Sequence, residues 1–382
     1  MNTEICVSAA ELKQTLEYVS LISGAGGGKG KKKDDNIQQM SGVLKITAVS
    51  PHKNKSYMLC FECLGASEQL CYRMEGKSYN SSETATTKVE GWRLAALVKT
   101  FEGDVTLRFE ERCLGVVCGT SAYKITTVQT ELPTMKLPER DKAIVLSVDF
   151  LSNAVRHCTP AIGKEDARAW LTCIQFQLHA DGSACCYATD THRLARFRAE
   201  NTGSKADAVL LLPPTGLQHI IEMCDQNELT LLPAERYIFA TTPRVDWLCY
   251  KVTGNFPYCE KVFNQRKPVM SVTVDRRRLL NAISRANIVS DTATEGRIKL
   301  GSDTQALYIE SNSVAGSGLD SIPLEAFTGS DGDAHAVSAI SLSRLLSACA
   351  SENVSITTHG KLAPLLISVP GSVNGYILAG MR

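Results

Sequence analysis

What the chain lacks narrows its possibilities first. No apolar run approaches the roughly 20 residues that span a bilayer. The opening segment MNTEICVSAAELKQTLEYV puts acidic residues where a secretory leader is basic and apolar. A soluble, cytoplasmic protein with no membrane partner is expected. Net charge is almost absent too: 41 Lys and Arg against 40 Asp and Glu leave +1. Bulk attraction to nucleic acid is therefore not expected, and any such binding must come from local patches. Metal-site spacing is missing despite fourteen cysteines: Cys60-Phe61-Glu62-Cys63 is the only CxxC, with no second CxxC and no His pair at zinc spacing. Reduced, buried thiols are the expectation, with no metal and no cofactor.

A phosphate-cradling loop is also lacking. The Gly/Lys-rich stretch at about residues 24–36 follows a helix rather than a strand, and no Ser or Thr follows Lys29 or Lys31. It reads either as a solvated tether or as a mobile basic finger whose Lys29, Lys31, Lys32 and Lys33 meet phosphates.

What is present is a repeat. A length of 382 residues predicts two to three domains. Three amphipathic helices are expected at Ala9–Leu21, Asp149–Ala161 and Asp275–Ile288, with apolar residues at helical spacing such as Leu12, Leu16 and Val19. Three second helices begin near Gly91, Gly216 and Leu342, and each runs through a polar turn into a strand. One supersecondary unit is thus written three times, with a period near 125 residues. Proline-bearing connections at 132–138 and 254–268 separate the copies. The expected class is α+β, with helix pairs packed on antiparallel sheet, in modules at 1–140, 141–266 and 267–382.

One stretch stands out chemically: Ala188-Thr189-Asp190-Thr191-His192-Arg193-Leu194-Ala195. A small, β-prone strand runs into it, and Asp190 and Thr191 offer oxygens that fix a turn. His192 and Arg193 follow, and on spacing alone they read as a polar turn tied to neighbouring carboxylates. No nucleophile motif, metal set or paired carboxylates accompany His192, so an enzyme is not expected.

This stretch resembles the ATDGHRLA signature of the β sliding clamp family, the processivity subunit of bacterial DNA polymerase III, with Thr191 in place of the usual glycine. Asp166 to Leu171 is similar to the family's DVRYYL segment, Gly254-Asn255-Phe256-Pro257 to its GxFPDY linker, and Tyr376 to Arg382 to its YVVMPMRL ending. Asn264 stands where the family carries a pocket proline.

The resemblance implies a head-to-tail homodimer whose six modules close a pseudo-sixfold ring around double-stranded DNA, bound without regard to sequence at the replication fork. Closing such a ring removes the exposed sheet edges. DNA contacts would fall to Arg93, Arg156, Lys164, Trp170 and the four finger lysines, with Lys13, Arg276, Arg277, Arg278 and Arg285 as further helix charges. The resemblance also implies a docking pocket for peptide motifs of DNA polymerase, the clamp loader and other partners. Carried over, that pocket comprises Leu171, Thr189, Thr191, His192, Arg193, Leu194, Ile377, Leu378, Ala379, Gly380, Met381 and Arg382. Chain truncation before Tyr376 is expected to abolish partner binding and spare the fold. The alternative function is a three-module adaptor or DNA-binding scaffold that never closes into a ring.

Overall fold

A computed structural model describes residues 3–23, 40, 42–50, 56–78, 84–163, 168–263, 267–290, 296–314, 316–330, 332–360 and 363–381. The finger lysines Lys29, Lys31, Lys32 and Lys33, together with Lys164, Asn264 and Arg382, lie outside the described residues. The chain separates into two compact units: Met1–Val148 with Thr215–Lys251, and Asp149–Pro214 with Val252–Arg382.

Among the described residues of the first unit, the helices Ala9–Ser23 and Gly91–Val98 pack together on an antiparallel sheet of twelve strands. Leu12, Leu16, Val19, Leu94 and Val98 face Ile5, Leu44, Ile46, Leu59 and Phe61, all nearly inaccessible to solvent. Burying each such side chain stabilises the fold by about 1.5–3 kcal/mol before entropy is counted. The sheet does not stop at the end of Glu68–Ser78. Val245–Tyr250 pairs with it, from Val245 opposite Tyr72 to Cys249 opposite Glu68. Beneath that junction the Glu68 carboxylate is buried and accepts hydrogen bonds from Trp247 Nε1 at 2.8 Å and from His219 Nδ1 at 3.1 Å. Gly216 makes this possible, because a Cβ there would come within 2.9 Å of the Trp247 ring.

Among its described residues the second unit carries a sheet of nine strands and one of four. Helices Arg276–Ile288 and Ala339–Ala348 pack on each other. Asp275 caps the first, accepting from Arg278 N, and Ser338 caps the second, accepting from Ser341 N. Helix Val148–Cys158 is shorter than its apolar spacing suggests. Pro160 converts the continuation into a 3-10 turn at Thr159–Ala161, since proline has no N–H for the helical ladder.

All fourteen cysteines are free thiols. No helix among the described residues is long and apolar enough to cross a membrane.

Candidate functional site

The signature stretch folds as a strand, a tight turn and a second strand, Ala184–Thr189 and Arg193–Ala199. The turn is held by its own side chains. Asp190 Oδ1 accepts from His192 N at 3.0 Å and Arg193 N at 2.9 Å. The Thr189 hydroxyl donates to Arg193 O at 2.7 Å and accepts from Thr191 N at 3.0 Å. Thr191 sits at φ 78°, a left-handed conformation that glycine adopts freely and a β-branched residue does not.

Arg193 is 8% exposed. Its guanidinium is spent inward, with Nε 2.8 Å from Asp190 Oδ2 and Nη1 donating to Ser341 Oγ at 3.3 Å. His192 and Thr191 are left as the exposed polar rim of the turn.

The chain end joins this turn by strand pairing: Arg193 stands opposite Leu378 and Leu194 opposite Ile377. Ala379 N then donates to His192 O at 2.8 Å and Met381 N to Ala336 O at 2.7 Å, which holds the last residues beside the turn. Leu194 and Ile377 share a buried cluster with Cys185, Tyr187 and Cys259, and half-buried Phe256, Phe263 and Leu366 pack against it. The structure therefore brings Thr189 to Leu194 and Ile377 to Met381 together. Leu171 is fully buried just under the turn and Leu378 is 2% exposed, so these two back the site rather than line its surface. Tyr376 is fully buried, and Gly375–Leu378 is paired on both sides. Truncation before Tyr376 would thus remove an inner strand of the sheet, contrary to the expectation that the fold survives it.

Sequence reasoning missed the residues that wall the site. The segment Gly254–Phe263 lies against the cluster through Phe256, Cys259 and Phe263. Its four-residue helix Glu260–Phe263 is fastened by Glu260, which accepts from Arg196 at 3.1 Å, Arg198 at 2.7 Å and the Tyr187 hydroxyl. The Arg196 guanidinium lies 4.0 Å from the Phe263 ring centroid. The linker motif was visible in the sequence, but only the fold shows which of its side chains turn inward.

The candidate DNA contacts are placed less uniformly. Trp170 packs edge-on against Phe256 at 5.6 Å and covers Gly254, where a Cβ would sit 2.4 Å from the indole. Arg93 is exposed, stacks on Trp92 at 4.5 Å and pairs with Glu90. Arg156 donates to Asn153 Oδ1. Arg276 is committed to Ser351 O at 2.7 Å, and Arg285 forks onto Asp320 at 3.1 and 2.6 Å. Arg277 and Arg278 are exposed. Among the described residues no group of His, Cys, Asp and Glu is arranged to hold a metal ion.

These features define an α+β protein of antiparallel sheets backed by helix pairs, with an apolar cluster where two strands from distant parts of the chain meet. A family model of the DNA polymerase III β subunit, central domain, matches residues 145–258. The β sliding clamp of Staphylococcus aureus is 23% identical over 239 residues, covering 61% of this chain and 63% of that protein. The β sliding clamp of Synechococcus elongatus is 24% identical over 244 residues, covering 59% and 62%. Among solved structures, the Bacillus subtilis DNA polymerase sliding clamp superposes with TM-score 0.86 at 16% identity, over 100% of both chains. The Pseudomonas aeruginosa DNA polymerase III subunit β gives 0.85 at 19% identity, over 99% of this chain and 100% of that one. The chain is thus similar to β sliding clamps in sequence, and its fold is that of DNA polymerase III β subunits.

Proposed function

We propose that the protein is a DNA sliding clamp, a processivity factor with no chemistry of its own. Two copies close around duplex DNA and tether the replicative polymerase, the clamp loader and other partners through the cleft beside Thr189–Leu194. One observation carries this reading. The same kind of junction occurs twice, Val245–Tyr250 on Glu68–Ser78 in one unit and Arg193–Ala199 on Gly375–Leu378 in the other. Each joins the sheet of one proposed module, 1–140, 141–266 or 267–382, to that of its neighbour.

Among the described residues several strands are paired on one side only, and two of them lie at the ends of different sheets. Ser121–Thr126 pairs, among the described residues, only with Cys113–Cys118, and Gly316–Pro323 only with Ala306–Ser313. Near the second, Leu319 is 71% exposed and Ile288 79%, and Tyr123 on the first is 50% exposed, which suits burial in a second copy. Joining the two edges between copies repeats the junction and closes the ring. A net charge of +1 is compatible with this function, since a closed ring is retained by topology rather than by tight binding.

In the cleft, Leu194, Ile377, Phe256 and Phe263 would take the apolar anchors of an extended peptide, while His192 and the backbone at Thr191 and Gly380 orient its polar groups. Small-angle scattering over a concentration series tests the ring. Twice the chain mass with a hollow profile is expected, together with retention on circular DNA that is lost when the DNA is cut. A compact monomer at every concentration would overturn encirclement and leave the open adaptor. For the finger, Ala at Lys29, Lys31, Lys32 and Lys33 is expected to weaken salt-sensitive DNA binding; unchanged binding would leave a tether.

A further inference from the structure

The solvent face of the twelve-stranded sheet carries a pair of thiols that clamp function does not use. Strands Ser56–Leu64 and Glu68–Ser78 pair with Cys60 opposite Arg73 and Glu62 opposite Cys71, so the two cysteines are diagonal neighbours on one face. Both are half-buried, and their thiols share a hydrogen bond. Their surroundings differ in charge. Cys60 stands between Thr47 on one side and the Arg73 guanidinium on the other. Cys71 stands between two carboxylates, Glu62 and Asp246. Glu62 is paired with Lys45 at 2.8 Å, while Asp246 pairs with Arg73 and accepts from the Thr241 hydroxyl. Cys63, the other half of the CxxC, points into the core and is fully buried.

We propose that Cys60 is a reactive thiol for hydroperoxides and that Cys71 resolves its oxidised form as a Cys60–Cys71 disulfide. The charges set the division of labour. The donated Cys71 S–H and, to a lesser degree, Arg73 favour the Cys60 thiolate against its burial, and Cys60 is pulled down to about 7. The Cys60 hydrogen bond, burial and the facing carboxylate keep Cys71 protonated, so it acts as donor first and attacker second.

In the first step the Cys60 thiolate attacks one peroxide oxygen. An S–O bond forms, the O–O bond breaks, and the departing hydroxide takes a proton and leaves as water. In the second, Cys71 gives up its proton, for which Glu62 is the facing base, and its sulfur attacks Cys60. The S–S bond forms, the S–O bond breaks, and a second water leaves. Two thiols and one hydrogen peroxide thus become a disulfide and two waters.

Trypsin releases residues 56–73 as one peptide holding Cys60, Cys63 and Cys71. The test treats the native full-length protein with hydrogen peroxide, then unfolds, alkylates and digests it. That peptide is expected to carry one alkyl group, on Cys63, in place of three. At neutral pH, alkylation of untreated native protein should be about tenfold faster at Cys60 than at half-buried Cys6 or Cys118. In Cys71→Ser, peroxide should leave Cys60 as a sulfenic acid that dimedone traps; in Cys60→Ser no adduct should form at Cys71. Circular dichroism checks that both variants fold. Equal alkylation at Cys60, Cys6 and Cys118, with three alkyl groups retained after peroxide, would overturn the proposal, as would a disulfide to Cys63.

Discussion

Replacing Thr191 with glycine should stabilise the protein, against the usual effect of adding glycine. Thr191 holds φ 78° in the tight turn between Thr189 and Arg193, and its side chain is exposed. A β-branched residue in that region costs about 1–3 kcal/mol, because its Cβ crowds the backbone. Glycine removes this cost but returns about 0.5–1 kcal/mol to the unfolded chain as added backbone freedom. The Thr191 N–H still reaches the Thr189 hydroxyl, so no hydrogen bond is lost. The net gain is about 1 kcal/mol, which for a unit of 150–250 residues is roughly 2–4 °C in Tm. Scanning calorimetry on Thr191→Gly and Thr191→Ala reads it directly, with alanine expected to recover less than half, since it keeps the Cβ. An unchanged or lowered Tm in Thr191→Gly would refute the strain argument.

Other outcomes follow from neighbouring geometry. Arg193→Met keeps the volume but leaves the Asp190 carboxylate without its cation, so urea unfolding should show a loss of about 2–3 kcal/mol. His157 is stacked on Tyr376 at 4.4 Å and hydrogen-bonded to its hydroxyl, and burial pushes it down to about 4. Its unfolded value is 6.5, so the unfolded chain takes up the proton first as pH falls. Stability should drop by about 3 kcal/mol between 6.5 and 4, and His157→Phe should flatten that part of the pH profile. His219 behaves oppositely. Its hydrogen bond to Glu68 raises it above 6.5, so its contribution is full below that pH and fades as pH climbs through the raised value. Wild type and His219→Gln should therefore differ most in urea midpoint below pH 6.5 and converge as the pH climbs through the raised value. At the cleft, Met381→Ala is expected to weaken binding of a polymerase-derived peptide about tenfold with the Tm unchanged; equal affinity would displace the site from the chain end.

Much of the architecture was readable in the residues. The helices at Ala9–Ser23 and Arg276–Ile288 follow the spacing of Leu12, Leu16 and Val19 and of Leu279 and Ile283, because a helix must turn one apolar stripe inward. The Asp190 turn was legible because an Asx side chain ties backbone within a few residues of itself. The end of helix Val148–Cys158 was written locally in Pro160, yet the apolar spacing carried the expectation past it to Ala161.

The packing around Leu194 and Ile377 was not legible. Nothing periodic marks Phe256, Cys259 or Phe263 as inward-facing. Their direction depends on Glu260 finding Arg196 and Arg198 more than sixty residues earlier in the chain. Arg193 shows the same limit. By sequence it belongs to a polar turn tied to neighbouring carboxylates, and only packing shows that it is buried on Asp190 and Ser341 while Thr191 and His192 stay outside.

The sequence by itself determined the helix faces and the turn, since each is decided by contacts within a few residues. Only the tertiary structure decided that Leu194 meets Ile377 and that Cys60 faces Arg73 while Cys71 faces two carboxylates. Strand register places the charges around a side chain, and it is set by the packing of whole sheets rather than by any one segment.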